Sequence, residues 1–121
     1  MAFKRYIVEF GMGADLHGRD VTKAAQRAVR DAISHGCLCG LYDILGLDGP
    51  KNLRIVLKIA CPLPEELDRQ AVLDSLPYYD DIELAVEPGG MMTKGIHHPS
   101  LGEGDDIVIA LASLTVYVDV K

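Results

Sequence analysis

Residues 107–120 constrain this chain more than any other segment. Val108, Ala110, Ala112, Leu114, Val116, Val118 and Val120 alternate with Ile107, Ile109, Leu111, Ser113, Thr115, Tyr117 and Asp119. A period of two held over that length is a long strand with one unbroken apolar face and one half-apolar face. Such a strand needs partners along both edges and cover on its apolar side, so the chain must build a sheet around it.

The partners are legible upstream. From Lys4 to Phe10 the chain alternates, with Tyr6, Val8 and Phe10 on one side and Arg5, Ile7 and Glu9 on the other. Residues 53–61 alternate Leu53, Ile55, Leu57 and Ile59 against Arg54, Val56, Lys58 and Ala60. Residues 82–87 read as a further strand, broken by Pro88, Gly89 and Gly90. The cover is helical. Val21, Ala24, Ala25, Ala28, Val29, Ala32 and Ile33 fall on one stripe, with Asp20 as N-cap and Gly36 as the stop. Small side chains on that stripe let a helix lie flat on a sheet. Pro64 with Glu65 and Glu66 opens a second helix that runs to about Leu76 and stops at Pro77.

The expected order is β-α-β-α-β-β in a single α+β domain spanning 1–121: a four-stranded sheet with two helices on one face. Its other face stays partly apolar, which marks an interface. A chorismate-mutase-like arrangement meets this need by closing the sheets of several copies into a trimeric barrel. A ferredoxin-like sheet is the runner-up and needs one more strand, which residues 37–45 would supply. Residues 37–49 show no clear period, and residues 91–106 read as a long loop, a common place for function.

Composition narrows the partners. At 49% hydrophobic and 25% charged residues, the chain has the balance of a globular domain. A formal net charge of -6 gains nothing at a phosphate backbone or an anionic bilayer, so nucleic acid and membrane are poor partners. The apolar run 107–118 is too short to cross a bilayer as a helix. Cys37, Cys39 and Cys61 make an odd count, which does not suit a disulfide framework, and lack a fourth placed ligand for a metal. No apolar leader follows Met1, so a reducing, cytoplasmic compartment is expected.

Chemistry concentrates in residues 11–20. Gly11, Gly13 and Gly18 there accompany Asp15, His17, Arg19 and Asp20. Glycines let backbone N–H groups approach a ligand, and a helix N-terminus favours an anion. Asp15 and His17 suit general acid–base work or metal ligation, and Arg19 and Asp20 complete the ligand-binding set. The third glycine comes too late for a dinucleotide fingerprint, and no Gly-Lys-Ser/Thr follows for a P-loop. The second candidate segment carries Glu87, Gly89, Gly90, Lys94, His97 and His98. Lys94 and His97 are assigned to ligand binding there, and His98 joins Asp15 and His17 as a candidate ligand for a divalent metal.

Gly11-x-Gly13-x-Asp15-x-His17-Gly18 resembles the signature of the Lin0512 family of conserved hypothetical proteins. Asp20, Thr22, Ala24, Ala25, Arg27, Ala28 and Val29 fit it too. The resemblance covers nearly the whole chain, makes Gly11, Gly13, Asp15, His17 and Gly18 part of a defining motif, and implies no reaction. In strand and helix order the chain is also similar to ring-opening amidohydrolases of the cyanuric acid type, whose catalytic lysine and serine find no match here. Two functions stay open on these residues. One is a small-molecule enzyme, hydrolase-like, with its site on residues 11–20 at a subunit interface. The other is a non-catalytic ligand- or metal-binding oligomeric module.

Overall fold

The long C-terminal strand organises the sheet, as its pattern requires. In the computed structural model, which describes every residue except Met1, Asp48, Pro77, Tyr78, Gly102, Glu103 and Lys121, five strands form one sheet. The strands are β1 (Phe3–Asp15), β2 (Leu53–Cys61), β3 (Ile82–Pro88), β4 (Met91–Lys94) and β5 (Asp106–Asp119). Antiparallel β1 lies along one edge of β5, from Phe3 opposite Asp119 to Asp15 opposite Val108. Antiparallel β2 lies along the other edge, and β3 joins β2 in parallel.

One face carries the helices. Val108, Ala110, Ala112, Leu114, Val116 and Val118 of β5 are buried with Leu53, Ile55, Leu57, Ile59 and Cys61 of β2. Over them lies α1 (Val21–Ser34), whose Ala24, Ala25, Ala28, Val29 and Ala32 are at most 1% exposed. A stripe of alanines sets the close approach of helix to sheet, as its spacing predicts. Of two short helices, α3 (Arg69–Leu73) packs against α1, and α2 (Gly40–Asp43) buries Leu41 in the core.

Five expectations need correction. The sheet has five strands, not four: residues 91–94 were expected in a loop and form β4. The reason is length. β5 spans 14 residues and β2 spans 9. The end of β5 near Asp106 is thus left unpaired on that edge, and β4 fills it with Met91 opposite Ile109. Second, Gly11 and Gly13 do not end the first strand, which continues to Asp15 because β5 continues beside it. Third, the expected helix over 64–76 is a 3-10 turn at Pro64–Glu66 followed by α3, because Asp68 starts a new cap by accepting the Ala71 N–H at 3.2 Å. Fourth, the extra strand that a ferredoxin-like sheet needs within 37–45 is the single turn α2. Fifth, Gly36 is not in a left-handed conformation; among the described glycines only Gly18, Gly46, Gly90 and Gly104 have positive φ.

A register shift between Arg5 and Ile7 decides which side chains of β1 face α1. After it, Ile7, Glu9, Gly11, Gly13 and Asp15 lie on the helix side. Val8, Phe10, Met12 and Ala14 lie on the open side beside Leu111 and Ile109.

Candidate functional site

The glycine-rich segment is the end of β1 together with the turn that leads into α1. Gly11 and Gly13 face the helix. A Cβ on Gly11 would strike the Ala28 carbonyl and the Ala32 amide, and one on Gly13 the Ala24 carbonyl and the Ala28 amide. Strand and helix backbones touch there, which only glycine permits.

Asp15 is the one buried charged residue among those described, at 6% exposure. Its Oδ2 accepts the Asp20 N–H at 2.9 Å. Its Oδ1 lies 3.5 Å from Arg27 Nη1, which also donates to the Ala14 carbonyl at 2.6 Å. Asp20 in turn accepts the Lys23 N–H at 3.1 Å and caps α1, as its position predicts. The carboxylate thus ties down a turn whose backbone is left-handed at both Gly18 (φ 92) and Arg19 (φ 51). Non-glycine residues rarely hold that conformation without such a tether. His17 sits in the turn with its Nδ1 buried and without a hydrogen-bond partner among the described residues.

The second segment meets the first at this corner. Gly18 and Arg19 line a shallow groove of about 520 Å³ with Gly104 and Asp106. Lys94 Nζ donates to Asp106 Oδ1 at 2.7 Å and to Asp105 Oδ1 at 3.3 Å. The hydrogen bond from Lys94 holds the Asp106 carboxyl below its usual range, and Arg19 adds a smaller pull. The same bonds, first to Asp106 and then to Asp105, hold the Lys94 ammonium above its own range. Arg19 also faces Glu66 at 3.8 Å. His97 Nδ1 approaches the Gly104 carbonyl at 3.3 Å, and His98 Nδ1 is engaged by Ser100, whose Oγ lies 2.6 Å away. Among the described residues no group of three His, Cys, Asp or Glu side chains is placed to hold a metal ion. Glu87 instead pairs with Lys58 at 2.8 Å on the open face, and Gly89 and Gly90 form the corner between β3 and β4.

A cavity that the sequence did not suggest lies at the other end of α1. It measures about 630 Å³ and is lined by Ile33, Leu38, Leu41, Leu53 and Leu114 together with Glu9, Tyr42, Tyr79, Cys37 and Cys39. Burial pushes the Glu9 carboxyl up. Burial also raises the Tyr79 phenol, and Glu9 and then Tyr42, which line the same cavity, raise it further. The clue in the sequence was Glu9, a carboxylate on the same side of β1 as Gly11 and Gly13. It was unreadable because the register shift hides which side is buried.

Fold and corner together define a mixed α+β domain in which a glycine-bearing strand runs through a tethered turn into an alanine-faced helix. The chain belongs to the Lin0512 family of conserved hypothetical proteins, whose model matches residues 5–116. It is similar to a crystal structure from Nostoc punctiforme PCC 73102, described as an FtsZ-like protein of unknown function. The two share 42% identity over 98% of each chain, with a TM-score of 0.86. No curated protein matches the chain. No helix among the described residues is long and apolar enough to cross a membrane.

Proposed function

We propose that the chain is a ligand-binding module that works as a homo-oligomer, a trimer, joined through the open face of its sheet. One observation carries this reading: an apolar strip on a face that no helix covers. Phe10 is 71% exposed, Met91 58%, Met12 52% and Leu111 48%. They neighbour one another across β1, β5 and β4. Beside the strip Lys58 pairs with Glu87 at 2.8 Å, and farther along the same face Arg54 pairs with Asp81 at 3.0 Å. These pairs lower the charge that a second copy would meet next to the strip, despite the net charge of -6. Association through the sheet edge is disfavoured, because Asp31 and Arg27 occupy the Met12 N–H and the Ala14 carbonyl on the outer edge of β1. The trimer is the closure expected from the chorismate-mutase-like reading of the sequence, in which the open faces of several copies meet. The ligand's place in this reading is the corner groove between Arg19 and Asp106.

Light scattering on the purified protein tests it. The expected mass is a trimer, and Phe10→Asp with Leu111→Asp is expected to give a folded monomer. A wild-type monomer across the accessible concentration range would overturn the reading.

A second reading, a small-molecule enzyme of hydrolase type, is favoured by one feature, the unpartnered buried Nδ1 of His17 beside the tethered Asp15. It expects His17→Ala to keep the fold and assembly while losing ligand or metal binding. Loss of fold in both His17→Ala and Asp15→Ala, with no ligand or metal bound by the wild type, would remove it.

A further inference from the structure

We infer that the cavity at the C-terminal end of α1 is a binding site for a small organic cation, an ammonium carrying an apolar group. Glu9 would take the charge, and Tyr42 and Tyr79 would flank it. The two polar side chains that β1 sends beneath α1 differ in what they do. Asp15 has every partner that its turn provides. Glu9 has no hydrogen bond and no ion pair among the described residues, although it stands in a recess walled by leucines. A partly desolvated carboxylate without a partner weakens a fold, and such groups collect at sites where a ligand supplies the missing partner.

The shape and chemistry of the recess select that ligand. Its volume of about 630 Å³ lies in the range of small-molecule sites. Among the described residues no lysine, arginine or histidine lines it, and its carboxylate Glu9 would repel an anion. Two tyrosine rings beside a carboxylate attract an ammonium through their faces and accept its N–H bonds through their hydroxyls. The leucines and Ile33 match an apolar substituent. A divalent metal is a poor match, since no metal-holding group of side chains occurs among the described residues. Cys37 and Cys39 lie at the rim with accessible thiols, which makes them reporters of occupancy. The inference stands apart from the oligomer reading, because these residues lie on the helical side of the sheet.

Titration with benzylammonium, followed by amide NMR shifts, tests it, with benzyl alcohol and benzoate as neutral and anionic counterparts of the same shape. The expected result is saturable binding of benzylammonium, with shifts centred on residues 9, 42 and 79. Benzyl alcohol should bind at least about tenfold more weakly, and benzoate should not bind. Glu9→Gln, which keeps the shape, should lose about tenfold in affinity for the cation and little for the alcohol. Benzylammonium should also slow alkylation of Cys37 and Cys39 in the wild type and not in Glu9→Gln. No saturable binding, equal affinity for benzoate, or undiminished cation binding by folded Glu9→Gln would overturn the inference.

Discussion

At the scale of the residue, the polar and glycine positions of β1 divide by what lies across from them. Gly13 meets helix backbone, which cannot yield, whereas Gly49 has open space where a Cβ would go. Gly13→Ala is therefore expected to cost about 2–4 kcal/mol in chemical denaturation, and Gly49→Ala less than about 0.5 kcal/mol. Equal effects would remove the close-contact explanation. Glu9 gives a prediction with a sign in pH. Burial raises its carboxyl, so the anion weakens the folded state at neutral pH, and protonation lifts that penalty. Glu9→Gln should melt higher than wild type at pH 7. Its advantage should shrink as pH falls and vanish below the ordinary glutamate range near about 4.3. The other titratable groups lining the cavity are the phenols of Tyr42 and Tyr79 and the thiols of Cys37 and Cys39. Melting curves across pH check this, and an advantage that grows toward acid would contradict it.

At the scale of the element, legibility followed how far each segment's own pattern decides its structure. The helix over residues 21–34 was readable because its stripe, its Asp20 cap and its alanines all agree. The strand at 53–61 was readable because its alternation is complete. β4 was not, since all four of its residues are exposed and show no buried face; it exists because β5 offers an unpaired edge. Gly90 makes that pairing possible. It has φ 69, and a Cβ there would strike the Ile109 carbonyl. Gly90→Ala should therefore release β4 more than the rest of the sheet. Hydrogen exchange checks this: amides of 91–94 should lose protection while those of β2 keep theirs. Uniform loss would show that the corner supports the whole sheet. The tether at Asp15 is a second device of this scale. Asp15→Ala leaves the Asp20 N–H without its acceptor and Arg27 with only the Ala14 carbonyl, and should cost about 1–3 kcal/mol by denaturation.

At the scale of the whole molecule, the helices satisfy only one face of the sheet, and the apolar strip of Phe10, Met12, Met91 and Leu111 faces away from them. If copies associate there, stability depends on protein concentration by mass action. The melting temperature of the wild type should rise with concentration, and that of the Phe10→Asp, Leu111→Asp variant should not. A concentration-independent wild type would argue for a monomer.

By itself the sequence determined the α+β class, a long last strand (expected over 107–120, found at Asp106–Asp119), the alanine-faced helix, its Asp20 cap and the family motif. Each of these rests on neighbours in the chain, on periods of two or 3.6 and on local capping chemistry. Only the tertiary structure decided that Gly11 and Gly13 serve backbone contact, that Asp15 holds a turn and that Glu9 stands in a cavity without a partner among the described residues. It alone also placed Arg19 beside Asp106. These depend on a register shift within β1 and on contacts between residues far apart in sequence, which no local pattern encodes.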